Sequence, residues 1–396
     1  MTSAVSNETI ERVRAVRREI HRFPELGYNE FKTAALIERE LVSLGIEHER
    51  ITPTGVKAVV RGALPGRVVA LRADMDALPI PEQSGEAFAS EHAGVMHACG
   101  HDAHTAMLLG AARTLHEQRA HLAGTVVCIF QPAEEGPEPG GALPMIEAGV
   151  LENPHVEAIA MLHVDVRLPA GTIGITPGPV NASADEFQIV VEGRGGHGAY
   201  PHTAADAIPP AAATILALQN IAARETDPLK SVVVTVGMIS GGYRNNVIAD
   251  RVQMSGTFRA HDPEIRQGLE ARARRIIDGV AAAYGVRANL EMIYGYPPVV
   301  NDGPLARAFA TYMRTHSALN VESPPPTMGA EDFAYFAQRA RGVQVRLGVR
   351  NDARGITMPG HSAQFRIDED ALAVGVETLV GFARMAATAD LAALVD

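Results

Sequence analysis

Along the first half of the chain, some segments have apolar residues at helical spacing and others are short apolar runs typical of strands. Within residues 7–46, apolar side chains recur at helical spacing on either side of a break near 23–27, and Gly45 is typical of a helix end. Runs rich in β-branched residues predict strands at 56–61, 68–72, 126–130 and 158–164. A further helix is predicted at 105–118. This order favours an α/β fold with a mixed, largely parallel sheet flanked by helices.

The pattern changes after about residue 182. The predicted elements are then a strand at 186–192, a helix at 205–223, strands at 231–239 and 250–259, a helix at 263–284 and a strand at 286–294. This βαββαβ order is that of the ferredoxin-like arrangement. We therefore expect one domain formed by 1–181 and 294–396, and an inserted domain formed by 182–293.

Composition narrows the class of protein. The chain has 396 residues, 46% of them hydrophobic, and a net charge of -11, with no basic stripe that would bind nucleic acid. We find no signal peptide and no apolar run of the ~18 residues that a membrane span needs, which predicts a cytoplasmic protein without a membrane partner. Cys99 and Cys128 are the two cysteines. A disulfide between them is conceivable, but Cys128 lies in a predicted strand, which favours a buried thiol.

Candidate metal ligands follow the predicted strands. Cys99 and His101 are separated only by Gly100, Glu134-Glu135 come just after strand 126–130, and His163 stands at the end of strand 158–164. Thiolate, imidazole and carboxylate groups are the ligands of transition metals. Open α/β sheets place such groups at the carboxyl ends of their strands. The combination predicts a metal site, and a hydrolytic one.

Each of these residues alone has an ordinary structural explanation. A histidine at a strand end is more often hydrogen-bonded in the core, and an adjacent glutamate pair is usually solvated. Because neighbouring side chains diverge, one of Glu134 and Glu135 can bind a metal while the other acts as general base, and their order does not say which. We expect His104 to face the loop as a helix-start residue rather than to bind a metal.

Segment 96–107, MHACGHDAHTAM, resembles the signature of hippurate hydrolases and indole-acetyl-amino-acid hydrolases. These are amidohydrolases of the large aminoacylase/carboxypeptidase group of di-metal peptidases. Further segments match the same family in the same order: 21–26, 72–79, 131–135, 195–202 and 329–333. The matches therefore extend over nearly the full length of the chain.

The resemblance implies a catalytic di-metal domain interrupted by a lid domain that also dimerises. The implied ligands of two divalent ions, zinc or manganese, are Cys99, His101, Glu135, His163 and His361. Glu134 is implied as general base and His197 as the group that stabilises the oxyanion. Asn246 and Arg259 match positions that bind the substrate carboxylate, and Asp76 matches a carboxylate that orients the ligands.

The expected function is that of a metal-dependent amidohydrolase. It would cleave N-acyl amino acids, such as N-acetyl or N-benzoyl conjugates, to a carboxylic acid and a free amino acid. The resemblance implies a homodimer or a dimer-based homo-oligomer formed through the lid domain. The alternative on the same site is a metal-dependent dipeptidase or carboxypeptidase. A non-catalytic binding protein would not need a base at Glu134. A structural zinc site usually has four Cys or His ligands, and the chain has too few thiols for the usual sets.

Overall fold

The helices and strands of the chain belong to two units. A computed structural model describes residues 5–137 and 139–395. The large unit comprises Met1–Val180, Val300–Pro325 and Asp332–Asp396, and the small unit comprises Asn181–Val299 and Pro326–Glu331. The inserted unit is thus longer than the predicted 182–293, and it includes a short second segment that no sequence pattern indicated. The catalytic and lid roles of the two units stay predictions.

The first part of the large unit alternates helices and strands. Its helices are α1 (Asn7–Arg22), α2 (Phe31–Leu44), α3 (His101–Glu117) and α4 (Ala142–Glu147). Its strands are β1 (Glu47–Arg50), β2 (Val56–Arg61), β3 (Leu64–Asp74), β4 (Ala123–Gln131), β5 (Ala158–Pro169), β6 (Thr172–Gly174) and β7 (Gly178–Asn181). The side chain of Ser6 accepts the backbone N–H of Thr9 at the start of α1, and Gly45 ends α2 with φ 68°.

The small unit has its own sheet and core. Its strands are β8 (Asp185–Glu192), β9 (Gly196–His197), β10 (Val232–Gly241), β11 (Val247–Ile248), β12 (Arg251–Ala260) and β13 (Arg287–Ile293). Its helices are α5 (Ile208–Arg224) and α6 (Pro263–Tyr284). The four long strands pair antiparallel in the order β10-β12-β8-β13, and β9 pairs with β11 in a separate ribbon. Both edge strands, β10 and β13, carry exposed side chains.

The chain then returns to the large unit. The remaining elements are β14 (Val299–Asn301), α7 (Gly303–His316), β15 (Asn320–Glu322), α8 (Phe333–Ala337), β16 (Arg341–Arg350) and α9 (Ala371–Thr388). Among the described helices, α9 alone is long and apolar enough to cross a membrane by length and composition, and it is mostly buried within the protein. It packs against α3 and β3.

The eight-stranded sheet of the large unit positions the candidate site. Its order is β1-β2-β4-β3-β5-β16-β6-β15. The central strands β4, β3, β5 and β16 are parallel, whereas β2 is antiparallel to β4 and β6 is antiparallel to β16. The predicted mixed, largely parallel sheet flanked by helices is confirmed. Because β3 and β4 end at the same edge of the sheet, the segments that follow Asp74 and Gln131 begin close together.

Candidate metal centre

A tight turn precedes α3 and carries the first two predicted ligands. Gly100 has φ 86°, and a Cβ atom there would lie 2.5 Å from Cγ2 of Val164, so only glycine fits. The helix begins at His101 and not at the predicted 105, since this glycine turn directly leads into it. Cys99 therefore lies in the turn, and the imidazole of His101 belongs to the first turn of the helix.

The six predicted metal-binding and base residues of the large unit come together. Potential ligand atoms lie within 4.8 Å of one another in three groups: Cys99, His101 and His163; Cys99, Glu135 and His361; and His101, Glu134 and Glu135. Sγ of Cys99 lies 3.5 Å from Nε2 of His163, and Nε2 of His361 lies 2.7 Å from Oε1 of Glu135. Although the neighbouring glutamates were expected to diverge, an oxygen of each lies within 4.8 Å of a ring nitrogen of His101.

His101 provides the test of whether a metal ion fits. Its Nδ1 lies 3.1 Å from Oδ1 of Asp76, while its buried Nε2 has no hydrogen-bond partner among the described residues. The distance from this Nε2 to Oδ1 of Asp74 is 3.8 Å, which is too long for a hydrogen bond. A buried, unsatisfied imidazole nitrogen beside a thiol and carboxylates is what a metal ligand requires. These residues therefore fit a divalent ion.

Two further histidines are held by backbone contacts. His163 lies inside β5 and not at a strand end as predicted, because the strand continues to Pro169. Its Nδ1 donates to the carbonyl of Val164 at 2.8 Å, which leaves Nε2 as the lone-pair nitrogen near Cys99. His361 has φ 64°, a left-handed conformation, and its backbone N–H donates to the carbonyl of Ala98 at 2.8 Å.

The cluster favours an ionised thiol. Burial opposes ionisation of Cys99, yet the imidazoles of His163, His101 and His361 lower its pKa to about 6. The hydrogen bonds of His361 with Cys99 and Glu135 raise its pKa to about 10, although burial opposes this shift. Burial alone raises the pKa of Cys128 to about 12. Both thiols are free, so the disulfide alternative is wrong and the buried-thiol prediction is right.

Asp76 connects two of the predicted ligands. One carboxylate oxygen contacts Nδ1 of His101, and the other accepts the backbone N–H of Glu135 at 2.8 Å. The carboxylate is almost fully buried. This is the geometry of a residue that orients a ligand through the nitrogen that does not face the metal.

His104 and Asp74 form a contact that was not predicted from the sequence. Nε2 of His104 accepts the backbone N–H of Val164 at 3.0 Å, so the ring proton must be on Nδ1, which donates to Oδ1 of Asp74 at 2.6 Å. Burial lowers the pKa of His104 to about 4, which keeps the ring neutral. Because both nitrogens have protein partners, His104 is not available to a metal. His104 lies in the first turn of α3, and its side chain is buried.

A fully buried arginine supports Asp74 from the other side. Arg72 donates to Oδ2 of Asp74 and to Oδ1 of Asp332, each at 2.7 Å, and its Nε donates to Gln131 at 2.8 Å. Asp332 also accepts the backbone N–H of Ala142 at 3.0 Å. The available signal was a charged residue directly after the apolar run 68–71. Its partners could not be identified from sequence, because they are up to 260 positions away.

The remaining predicted residues lie in the small unit. His197 is on β9, and its Nδ1 accepts the backbone N–H of Ala199 at 3.1 Å, which assigns the ring proton of the neutral form to Nε2. Asn246 is exposed, and its backbone carbonyl accepts the N–H of Gly198 at 2.8 Å. His197 and Asn246 are therefore neighbours within this unit. Arg259 is half-buried on β12.

Comparison with known proteins decides the family. The family model described as peptidase family M20/M25/M40 matches residues 70–385. The chain belongs to this family. The M20/M25/M40 match spans both units, and the resemblance inferred from the sequence motifs is confirmed.

Individual members of the family are similar over nearly the whole chain. The IAA-amino acid hydrolase ILR1-like 2 of Arabidopsis thaliana is 42% identical, with 94% of this chain and 84% of that protein covered. Thermostable carboxypeptidase 1 of Saccharolobus solfataricus is 40% identical, with 91% of each covered. A crystal structure of a Bacillus subtilis protein, described as a dinuclear metal binding peptidase from the M20 family, superposes with a TM-score of 0.86. It is 36% identical and covers 96% of this chain and 99% of that chain.

Proposed function

We propose that this M20-family protein is a metal-dependent amidohydrolase that cleaves N-acyl amino acids to a carboxylic acid and a free amino acid. The observation that carries the proposal is the environment of His101. Its buried Nε2 has no hydrogen-bond partner among the described residues, and one of its ring nitrogens lies within 4.8 Å of potential ligand atoms from Cys99 and His163, and from Glu134 and Glu135. An oxygen of the base candidate, Glu134, thus lies in the same group as the metal ligands. The family and the relative that hydrolyses an amino acid conjugate support the same reaction.

Two divalent ions are proposed to bind to Cys99, His101, Glu135, His163 and His361. When bound, such ions polarise a carbonyl and lower the pKa of water toward ~7. Cys99, His101 and Glu135 each belong to two of the three ligand groups. Thiolate favours zinc, whereas carboxylate and imidazole also suit manganese, and we propose one of these two metals. The dinuclear metal binding homologue supports the number of ions.

Glu134 is proposed to move the proton. Its carboxylate is largely buried, and one oxygen shares a ligand group with Glu135 and His101. It would accept a proton from the attacking water and donate it to the leaving amine. Asp76 contacts the ring of His101 and the backbone N–H of Glu135, so it helps to orient both of these proposed ligands.

The small unit is proposed to bind the substrate. The Nε2–H of His197 can donate to an oxyanion, since Nδ1 already accepts a backbone N–H. Arg259 and Asn246 are proposed to bind the substrate carboxylate, because a guanidinium pairs with a carboxylate through two parallel hydrogen bonds.

We also propose a cytoplasmic homodimer. Exposed Met238 and Ile239 on the edge strand β10 support association through the small unit, and two free thiols support a reducing compartment.

The test compares Glu134→Gln with the unchanged protein on N-acetyl and N-benzoyl amino acids. Gln keeps the shape of the side chain but cannot accept the proton, so turnover should fall by roughly 10²–10⁴-fold while metal content is retained. Normal turnover by the variant would remove Glu134 from this role. Sedimentation velocity of the protein would test the homodimer.

A carboxypeptidase is the second candidate, and the similarity to thermostable carboxypeptidase 1 favours it. The two activities share a metal site but differ in whether the substrate has an acylated or a free amino group. Parallel assays on N-acyl amino acids and on free dipeptides separate them. Faster hydrolysis of the free dipeptides would favour the second candidate.

A further inference from the structure

The residue before Glu134 has an unusual backbone conformation. Ala133 has φ 54°, in the left-handed region that residues with a Cβ rarely adopt, and it is fully buried. Both of its backbone polar groups are hydrogen-bonded. Its N–H donates to Oε1 of Glu30 at 2.8 Å, and its carbonyl accepts the N–H of Gly141 at 3.0 Å. Strained residues of this kind persist only where the surrounding structure holds them.

Glu30 comes from a distant and well-packed part of the large unit. It immediately precedes α2, and its own carbonyl accepts the N–H of Ala34 at 2.9 Å. The apolar face of α2, which includes Ile37 and Leu41, is buried in the core. Glu30 is itself fully buried. Its carboxylate is therefore fixed by a helix that does not contribute any of the proposed metal ligands.

The backbone around Gly27 packs directly on the same loop. A Cβ atom at Gly27 would lie 3.1 Å from Cα of Gly136 and 3.2 Å from Cα of Ala133. A Cβ at these distances would crowd the neighbouring backbone, so the segment before α2 and the loop after β4 pack closely. The side chain of Glu30 thus reaches Ala133 within an already close contact.

The backbone N–H groups of the residues before and after Glu134 both donate to buried glutamate or aspartate side chains. Glu30 accepts the N–H of Ala133, and Asp76 accepts the N–H of Glu135, each at 2.8 Å. The Asp76 contact is made with Glu135, a proposed metal ligand. The Glu30 contact is made with Ala133, which is not a proposed ligand and lies on the other side of Glu134.

We infer that Glu30 is a positioning residue for Glu134, which acts by holding Ala133 in its left-handed conformation. The inference rests on the proposed function, since it takes Glu134 as the base. A carboxylate that is displaced by about 1 Å from its reacting position can lose roughly 10²-fold in rate. Glu30 is neither a proposed ligand nor a proposed base, because its contact with Ala133 is made with the backbone N–H.

The experiment uses the full chain with its metal and four variants: Glu30→Ala, Glu30→Gln, Ala133→Gly and the double variant Glu30→Ala/Ala133→Gly. Glu30→Ala removes the acceptor, so kcat should fall by about 10- to 100-fold, with KM and metal content unchanged. Glu30→Gln keeps an oxygen at the same position and should retain most of kcat. Glycine adopts a positive φ without a steric penalty, so the double variant should recover most of the loss. Ala133→Gly alone should resemble the unchanged protein.

Hydrogen–deuterium exchange over residues 131–137 provides a readout that does not depend on turnover. Exchange there should be faster in Glu30→Ala than in Glu30→Gln, with little change elsewhere in the large unit. An unchanged kcat in Glu30→Ala would overturn the inference. So would a loss that Gln shares, or a loss that Ala133→Gly does not relieve, since both would indicate a general structural effect.

The same set of proteins, with Glu134→Gln added, separates this inference from the proposed function. If Glu134→Gln is inactive and Glu30→Ala is fully active despite faster exchange, only the positioning role fails. If Glu134→Gln is active, the base assignment fails and the positioning role falls with it, whatever the exchange data show.

Discussion

Nδ1 of His104 donates a hydrogen bond of 2.6 Å to Asp74, and Nε2 of the same ring accepts the backbone N–H of Val164. The carbonyl of Val164 in turn accepts a hydrogen bond from Nδ1 of His163. One neutral imidazole therefore connects the end of β3 to the backbone that orients a proposed metal ligand. Contacts of this kind set the direction and basicity of the ligand they support.

Removal of this ring should weaken metal binding. His104→Ala leaves the carboxylate of Asp74 and the N–H of Val164 without their partner, so metal affinity should fall by roughly 10–100-fold. Competition with a chelator measures this change. His116→Gln, near the other end of α3, is the matched control and should bind metal normally. Equal affinities in both variants would show that His104 does not support the ligands.

The buried pair of Arg72 and Asp332 should be important for stability. Both side chains are fully buried, so Arg72→Met removes the positive charge that faces the buried carboxylates of Asp332 and Asp74, at a cost of about 3–5 kcal/mol in the free energy of unfolding. Chemical denaturation measures the difference. The exposed pair of Arg61 and Glu47 provides the control, and Arg61→Met should cost no more than about 1 kcal/mol. Similar losses in both variants would contradict this account.

Stability should fall in mildly alkaline solution because of His21. Burial opposes its protonation, but the carboxylates of Asp102 and Glu82 raise its pKa to about 9. A raised pKa stabilises the fold fully below the unfolded value of about 6.5, and this contribution disappears as the pH rises through about 9. Thermal unfolding of metal-loaded protein between these two pH values should therefore show a decline that His21→Gln lacks.

The control for this pH profile is His155→Gln, which changes an exposed histidine beside Glu152. Its thermal stability should follow that of the unchanged protein at every pH. If His21→Gln also follows the unchanged protein, then the ring of His21 does not carry a proton in the folded state at neutral pH.

Metal removal should make one of the two thiols reactive. Since the neighbouring imidazoles lower the pKa of Cys99 to about 6, it is mostly thiolate at pH 7, whereas burial raises the pKa of Cys128 to about 12. Iodoacetamide should modify Cys99 in chelator-treated protein, more slowly after metal is restored, and mass spectrometry identifies the site. Modification of Cys128, or labelling of Cys99 that metal does not slow, would argue against the proposed ligand set.

The predictable features of the site were those with local signals. Apolar spacing predicts β2, β3, β4 and β5 of the eight strands of the large sheet, whereas the central strand β16 was not predicted. His104 and Arg72 were not predicted as supporting residues, because their roles depend on partners that the fold brings together. Glu30 is a similar case. It lies about a hundred positions before Ala133, and nothing in its own neighbourhood indicates that it accepts that N–H.

The central claim is that the cluster around Cys99 and His101 holds two catalytic divalent ions. The most direct measurement is a titration of chelator-treated protein with zinc or manganese, with bound metal and hydrolysis of an N-acyl amino acid followed in the same samples. We predict that activity rises with occupancy and reaches its maximum at two ions per chain. Maximal activity at one ion per chain, or none at any metal content, would contradict the account.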